Sequence, residues 1–159
     1  MVAHDLVDAD LNDFALFLTE SGFGADFWGN VKVDGSDIVV TGADGLTKLD
    51  RELVAFNTAT QSMQLYTRGD LKAGTDTVFY IYYGNAGAAE TNQTTTWRGE
   101  YGGGWHFESD FDVQVSDSSQ EAHNGFGRNG FDSDNQIAGA FGSGAEFNNS
   151  EDIALDYGL

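Results

Sequence analysis

Cysteine and proline are both absent from this chain, and cations are scarce: 7 Lys and Arg stand against 26 Asp and Glu in 159 residues. Without cysteine there is no disulfide scaffold, no thiolate zinc site and no thiol nucleophile. Without proline, chain reversals must rely on Gly, Asn and Asp, which tolerate positive φ. The formal net charge of −19 repels phosphate backbones and anionic lipid headgroups, which argues against nucleic acid and membrane surfaces as partners. What the charge favours is a solvated acidic coat, with tolerance of salt or attraction of divalent cations. No apolar run approaches the ~20 residues needed to span a bilayer, so no membrane insertion is expected. Residues 1–6 have neither the basic flank nor the apolar stretch of a secretory signal. That leaves a protein kept inside its cell, one released by assembly or lysis, or a trimmed chain.

The 40% of apolar residues suffices for a core at this length. Branched and aromatic runs alternate with Asp-Gly and Gly-Asn punctuation, the pattern of strands joined by tight turns. Strands are expected over residues 14–19, 37–41, 47–56, 63–68 and 77–83, with a turn at Asp44-Gly45. The last of these is bulky on both faces and therefore expected at the centre of its sheet. Residues 22–30 hold Phe23, Phe27 and Trp28 between glycines and read as a loop or one helical turn that drops aromatics onto the core. Residues 86–96 are small and polar and read as a linker or long loop. Beyond them, short aromatic islands lie in Gly-, Ser-, Asp- and Asn-rich sequence, from Tyr101 and Trp105-His106-Phe107 through Phe111, Phe126, Phe131, Phe141 and Phe147 to residues 153–157. No amphipathic helical period is present, and the chain reads as all-β.

No catalytic motif is recognisable. A Gly-x-Ser-x-Gly elbow is absent, and His4, His106 and His123 show no zinc-ligand spacing. Glu52 is the best single candidate acid, and Glu100, Glu108 and Asp110 beside Trp105-His106 form the best carboxylate cluster. Nothing fixes two carboxyl groups at a glycosidase separation, so solvent-facing charges are the stronger reading and no catalytic residue is assigned. His106 between aromatics reads as a half-buried residue bonded to backbone. Calcium is the one cofactor the pattern admits. Asp132-Ser133-Asp134-Asn135, Asp110-Phe111-Asp112 and Asp34-Gly35-Ser36-Asp37 put hard oxygens at alternate loop positions, and Asp132, Asp134 and Asn135 are the candidate ligands. None completes an EF-hand, and ordinary Asx turns explain the same residues. For sugar contact, Trp97, Tyr101, Trp105 and His106, with Phe107 beside them, supply aromatic rings near polar groups. The competing reading makes the same rings the core of a second unit. Asn92-Gln93-Thr94 and Asn148-Asn149-Ser150 match glycosylation sequons, which also arise by chance.

Residues 7–85 resemble the domain-of-unknown-function family 2341. The likeness is carried by Val7-Asp8-Ala9-Asp10-Leu11, Asp34-Gly35-Ser36-Asp37-Ile38, Asp44-Gly45 with Lys48-Leu49 and Glu52, and Tyr80-Ile81-Tyr82-Tyr83-Gly84-Asn85. It implies a β-sandwich module of bacterial and phage surface proteins, in which Glu52 is structural. Trp105-His106-Phe107, Asp117-Ser118-Ser119, His123-Asn124-Gly125 and residues 137–141 leading to Phe147 are similar to the opening of a concanavalin/laminin-G-like jelly roll. The chain departs from both patterns: an aromatic and basic strand expected before Met1 is missing, and the jelly roll stops after about four strands.

The expected architecture is an antiparallel, jelly-roll-like β-sandwich over residues 1–88, a linker over 89–97 and an incomplete second β unit over 98–159. The final strand, residues 152–159, is expected to fold back onto the first module or to pair with other subunits of the same assembly. The expected function is non-enzymatic: an exterior structural or adhesive protein, of decoration or tail-fibre type, on a phage particle or similar assembly. Its expected location is a virion surface or the extracellular space, with glycan contact as an additional property. The alternative is a carbohydrate-binding module of a larger secreted or cell-surface protein.

Overall fold

A computed structural model describes residues 1–99, 101–140, 142–148 and 150–156. The chain divides into two compact units, Met1–Thr96 and Trp97–Leu159. Strands dominate and every named strand pairing is antiparallel, in keeping with the all-β expectation. Among the described residues, no helix is long and apolar enough to cross a membrane.

In the first unit, β1 (Leu11–Thr19), β4 (Ser62–Leu71) and β3 (Arg51–Asn57) form a three-stranded sheet in the order β1-β4-β3. The central strand shows why: Met63, Leu65 and Thr67 are buried while Gln64 and Tyr66 between them are only half-buried, the period of two of a strand with one core face. Leu18 and Leu53 flank Leu65 from the two neighbouring strands, and Leu16 and Arg51 flank Thr67. A second sheet pairs β2 (Val39–Thr41) with β5 (Tyr80–Tyr82). Between β1 and β2 lies a short helix, α1 (Ala25–Asn30). Phe27, Trp28, Val31, Ile38, Val40, Met63 and Leu65 form one buried cluster, joined by Leu18, Leu53, Phe56, Ile81 and Tyr83, so both sheets and α1 share a core. The helix delivers aromatics to it as the sequence suggested: Trp28 stacks on Phe56 with ring centroids 5.6 Å apart, and Phe27 meets Tyr83 edge-on at 4.9 Å.

Three expectations need correction. Residues 47–56 are not one strand. Gly42 N–H bonds to Thr47 O and Leu49 N–H to Val40 O, which ties residues 47–49 to β2, whereas Arg51 onward pairs with β4. The chain thus changes sheets near Asp50, which an uninterrupted alternation of side chains cannot reveal. Second, β5 is short and pairs with β2 alone among the named strands, with Ile81 partly buried against the core and Tyr80 and Tyr82 46% and 48% exposed. Tyrosine bulk does not require burial, because the phenol keeps a polar tip. Third, residues 89–97 are not a free linker. Glu90, Asn92 and Gln93 bond to Ser36, Leu53 and Arg51 of the first unit, and a 3-10 turn, Thr94–Trp97, follows.

The second unit has a smaller core of Phe111, Val115 and Phe131, with Trp105, Phe107, Ala145 and Ile153 packed against it. Phe131 stacks between Phe111 and Phe147 at 5.1 and 4.8 Å. Its strands form two-stranded ladders: β6 (Gly125–Arg128) with β9 (Asp152–Leu155), and β7 (Gln136–Ala138) with β8 (Ser143–Ala145). The described part of the final strand, Asp152–Leu155, instead pairs with β6 of the second unit, a partner the sequence reading did not name, while residues 157–159 of the expected longer strand lie outside the described residues.

Candidate functional site

Many carboxylates of this acidic chain fasten its own backbone. Asp37, only 1% exposed, accepts from Lys32 N–H at 3.0 Å through Oδ1 and from Gly84 N–H at 2.6 Å through Oδ2. It thereby joins the loop before β2 to the one after β5. Asp44 takes the N–H groups of Leu46 and Thr47 and the Thr47 hydroxyl, closing the turn after β2. Asp10 receives Lys72 Nζ and Ala73 N–H. In the second unit Asp117 collects Gly104 N–H, Ser119 N–H and Oγ, and His123 N–H at 2.8–2.9 Å. Partial burial pushes the Asp117 carboxyl up, but the donors of Gly104, Ser119 and His123 outweigh that and hold it below the usual carboxylate range.

The candidate calcium loops follow the same rule. The Asp132 side chain accepts from Asp134 N–H, and Asn135 Oδ1 accepts from Asp132 N–H at 2.9 Å, so the two residues form a reciprocal capping box. Asn135 Nδ2 donates to Glu146 O and Glu151 Oε2, both at 2.9 Å. Asp110 accepts from Asp112 N–H, Asp112 from Ser133 N–H and Oγ, and Asp34 from Ser36 N–H. Among the described residues, no three His, Asp or Glu side chains converge as a metal site. The candidates Asp132, Asp134 and Asn135 are adjacent, and the side-chain contacts of Asp132 and Asn135 are those of a helix cap.

The four candidate glycan residues do not form one platform. Trp97 is 9% exposed, with Tyr101 edge-on at 5.3 Å and His106 tilted against it at 5.3 Å. Trp105 belongs to a different cluster: its ring packs with the core of the second unit, and its Nε1–H donates to His123 O at 3.0 Å. The competing core reading describes Trp97 and Trp105 better, because a sugar needs a ring face open to solvent. Tyr80 and Tyr82 are among the exposed rings of the described residues. Both point to the same face of β5, and the Tyr82 hydroxyl donates to Gly45 O at 3.0 Å, which fixes that ring. Sequence reasoning missed them because the run around them read as a fully buried strand.

The carboxylates weighed for catalysis are also placed. Glu52 is buried on β3 opposite Tyr66, whose hydroxyl is pushed up first by burial and then by the Glu52 charge. Glu108 accepts from Ser143 N–H at 2.6 Å and Ser143 Oγ at 3.0 Å. Glu100 lies outside the described residues. Arg51, 2% exposed, has Nε and Nη1 without hydrogen-bond partners among the described residues; burial pulls its pKa down, while Glu90, Asp37 and Asp34 pull it up. Asn92 of the first sequon is tied through both ends of its side-chain amide to Leu53. Comparison with family models, with curated proteins and with solved structures finds no match to this chain.

Proposed function

We propose that the protein is a non-enzymatic structural or adhesive component on the exterior of a phage-like particle or similar assembly, of decoration or fibre type. The observation that carries this reading is the use of its acidic groups. Asp37, Asp44, Asp117, Asp132 and Glu108 each accept backbone N–H groups, so their charge organises loops instead of waiting for a substrate. A general acid or nucleophile needs a carboxyl group open to a substrate atom, and fastening works against that. The resemblance of residues 7–85 to a surface-protein module points the same way. Immunogold microscopy and mass spectrometry of particles purified from the native source test the proposal. It predicts the chain in stoichiometric amounts on the particle exterior; recovery solely as a free protein in the lysate refutes it.

A carbohydrate-binding role is the second reading, and one observation favours it: Tyr80 and Tyr82 are neighbouring, half-exposed rings on one sheet face. Tryptophan and tyrosine fluorescence titrated with neutral polysaccharides checks this. Binding lost in Tyr80→Ala and Tyr82→Ala but kept in Trp105→Phe supports sugar contact at β5. Binding that survives both tyrosine changes removes it.

A further inference from the structure

The free edge of β3 is closed by two residues from a distant part of the chain. Among the described residues, β3 of the β1-β4-β3 sheet pairs with a strand, β4, on one side only. On its other side Leu53 N–H donates to Asn92 Oδ1 at 2.8 Å, and Asn92 Nδ2 donates back to Leu53 O at 3.0 Å. Two residues along, Arg51 N–H donates to Gln93 Oε1 at 2.9 Å, and Gln93 N–H donates to Arg51 O at 3.0 Å. Four outward-facing backbone groups of one edge strand are thus met by two consecutive residues about 40 positions away. Asn92 answers with its amide side chain alone, whereas Gln93 answers with one backbone and one side-chain group.

These are the alternate residues, i and i+2, that a neighbouring strand would pair with. The segment is anchored upstream as well. Glu90 N–H bonds to Ser36 O at 2.7 Å, the Glu90 carboxylate meets Lys48 Nζ at 2.5 Å, and Lys32 Nζ donates to Ala88 O. Unpaired strand edges are templates for another chain, and proteins cover them with loops or charges.

We propose that residues 90–93 are an autoinhibitory edge cap, a surrogate strand that occupies the strand-accepting side of β3 and keeps a second copy of this chain from pairing there. The cap consists of the Asn92 side-chain amide and of one backbone and one side-chain group of Gln93. Once it leaves, an extended segment satisfies the same four groups. The partner available at any concentration of this protein is the β3 edge of another copy, paired antiparallel.

Two readouts on the full-length chain test this. Amide hydrogen exchange is compared in the parent, Asn92→Ala and Gln93→Ala. The cap predicts that exchange at Leu53 rises roughly five- to tenfold in Asn92→Ala, and that exchange at Arg51 rises similarly in Gln93→Ala. The amides of β4 stay unchanged in both, which separates local opening from general loosening. Gln93→Glu keeps an oxygen for Arg51 N–H and should retain protection there, which preserves the test if the alanine variants fold poorly. Sedimentation velocity of the Asn92→Ala/Gln93→Ala variant should then show association that grows with concentration beyond that of the parent. Unchanged exchange at Leu53 and Arg51 overturns the cap. Faster exchange with sedimentation identical to the parent overturns its role in blocking a second copy.

Discussion

Asp117 and Gly35 show how single positions hold each unit. The Asp117 carboxylate fixes the loop through Ser119 and His123 to the backbone at Gly104, with donors on both of its oxygens. Asp117→Asn keeps one acceptor and turns the other end into a donor that faces donors. We expect it to lower the stability of the second unit by about 2 kcal/mol at pH 7. The folded carboxyl is held below its ordinary range, so its contribution is complete above the unfolded value and disappears as pH falls through the lower folded one. Parent and variant should therefore differ at pH 7 and converge as pH drops from about 4 towards 2. Urea unfolding followed by tryptophan fluorescence at both ends of that range measures it, and a gap that stays constant contradicts the assigned role. Gly35 has φ +63°, and a Cβ there would lie 2.5 Å from Leu53 Cδ2. Gly35→Ala should cost about 2–3 kcal/mol through strain and crowding, whereas Gly74→Ala, with open space around it, should stay within about 0.5 kcal/mol. Thermal melts of the two variants decide between these outcomes.

At the scale of elements, β4 carries the first unit, since it lies between β1 and β3 and places Leu65 at the middle of the core with no exposure. Leu65→Ala should destabilise by about 2–4 kcal/mol, because neighbours on both flanking strands keep the cavity from closing. Chemical denaturation gives the value, and a loss under 1 kcal/mol would mean that the core collapses around the gap. This strand was legible in the sequence because its alternation maps onto one buried and one wetter face. So was the aromatic segment around Phe27 and Trp28. The change of sheet near Asp50 was not, since alternation continues across it and only the partner strand differs. Nor was the outward face of β5, where Tyr80 and Tyr82 carry the same bulk as a buried run. The candidate site suffered most from distance along the chain. The acidic loops were visible, but their partners were not. Asp112 meets Ser133, and Asn92 meets Leu53; such pairings are set by the folded topology and leave no mark in local spacing.

At the scale of the whole molecule, the dominant quantity is the charge of −19. Exposed ion pairs such as Lys72–Asp10 and Arg128–Asp152 partly offset the repulsion, but pairs of this kind contribute only about 0–1 kcal/mol each and weaken with salt. Repulsion among the remaining carboxylates weakens with salt as well, the Debye length shrinking from about 30 Å at 0.01 M to about 10 Å at 0.1 M. With 26 acidic groups and 7 basic ones, the repulsive part is the larger. Raising NaCl from 0.01 to 0.5 M should therefore raise the melting temperature by several degrees, about 5 °C for each kcal/mol of relieved repulsion. A melting temperature that falls instead would mean the ion pairs outweigh the acidic coat. The same experiment separates screening from a built calcium site. Oδ1 of Asp132 and Oδ1 of Asn135 each accept a backbone N–H group, so CaCl₂ and MgCl₂ at equal ionic strength should shift melting by the same amount. A calcium shift larger than the magnesium one, and lost in Asp132→Ala, would place a metal at that cap after all.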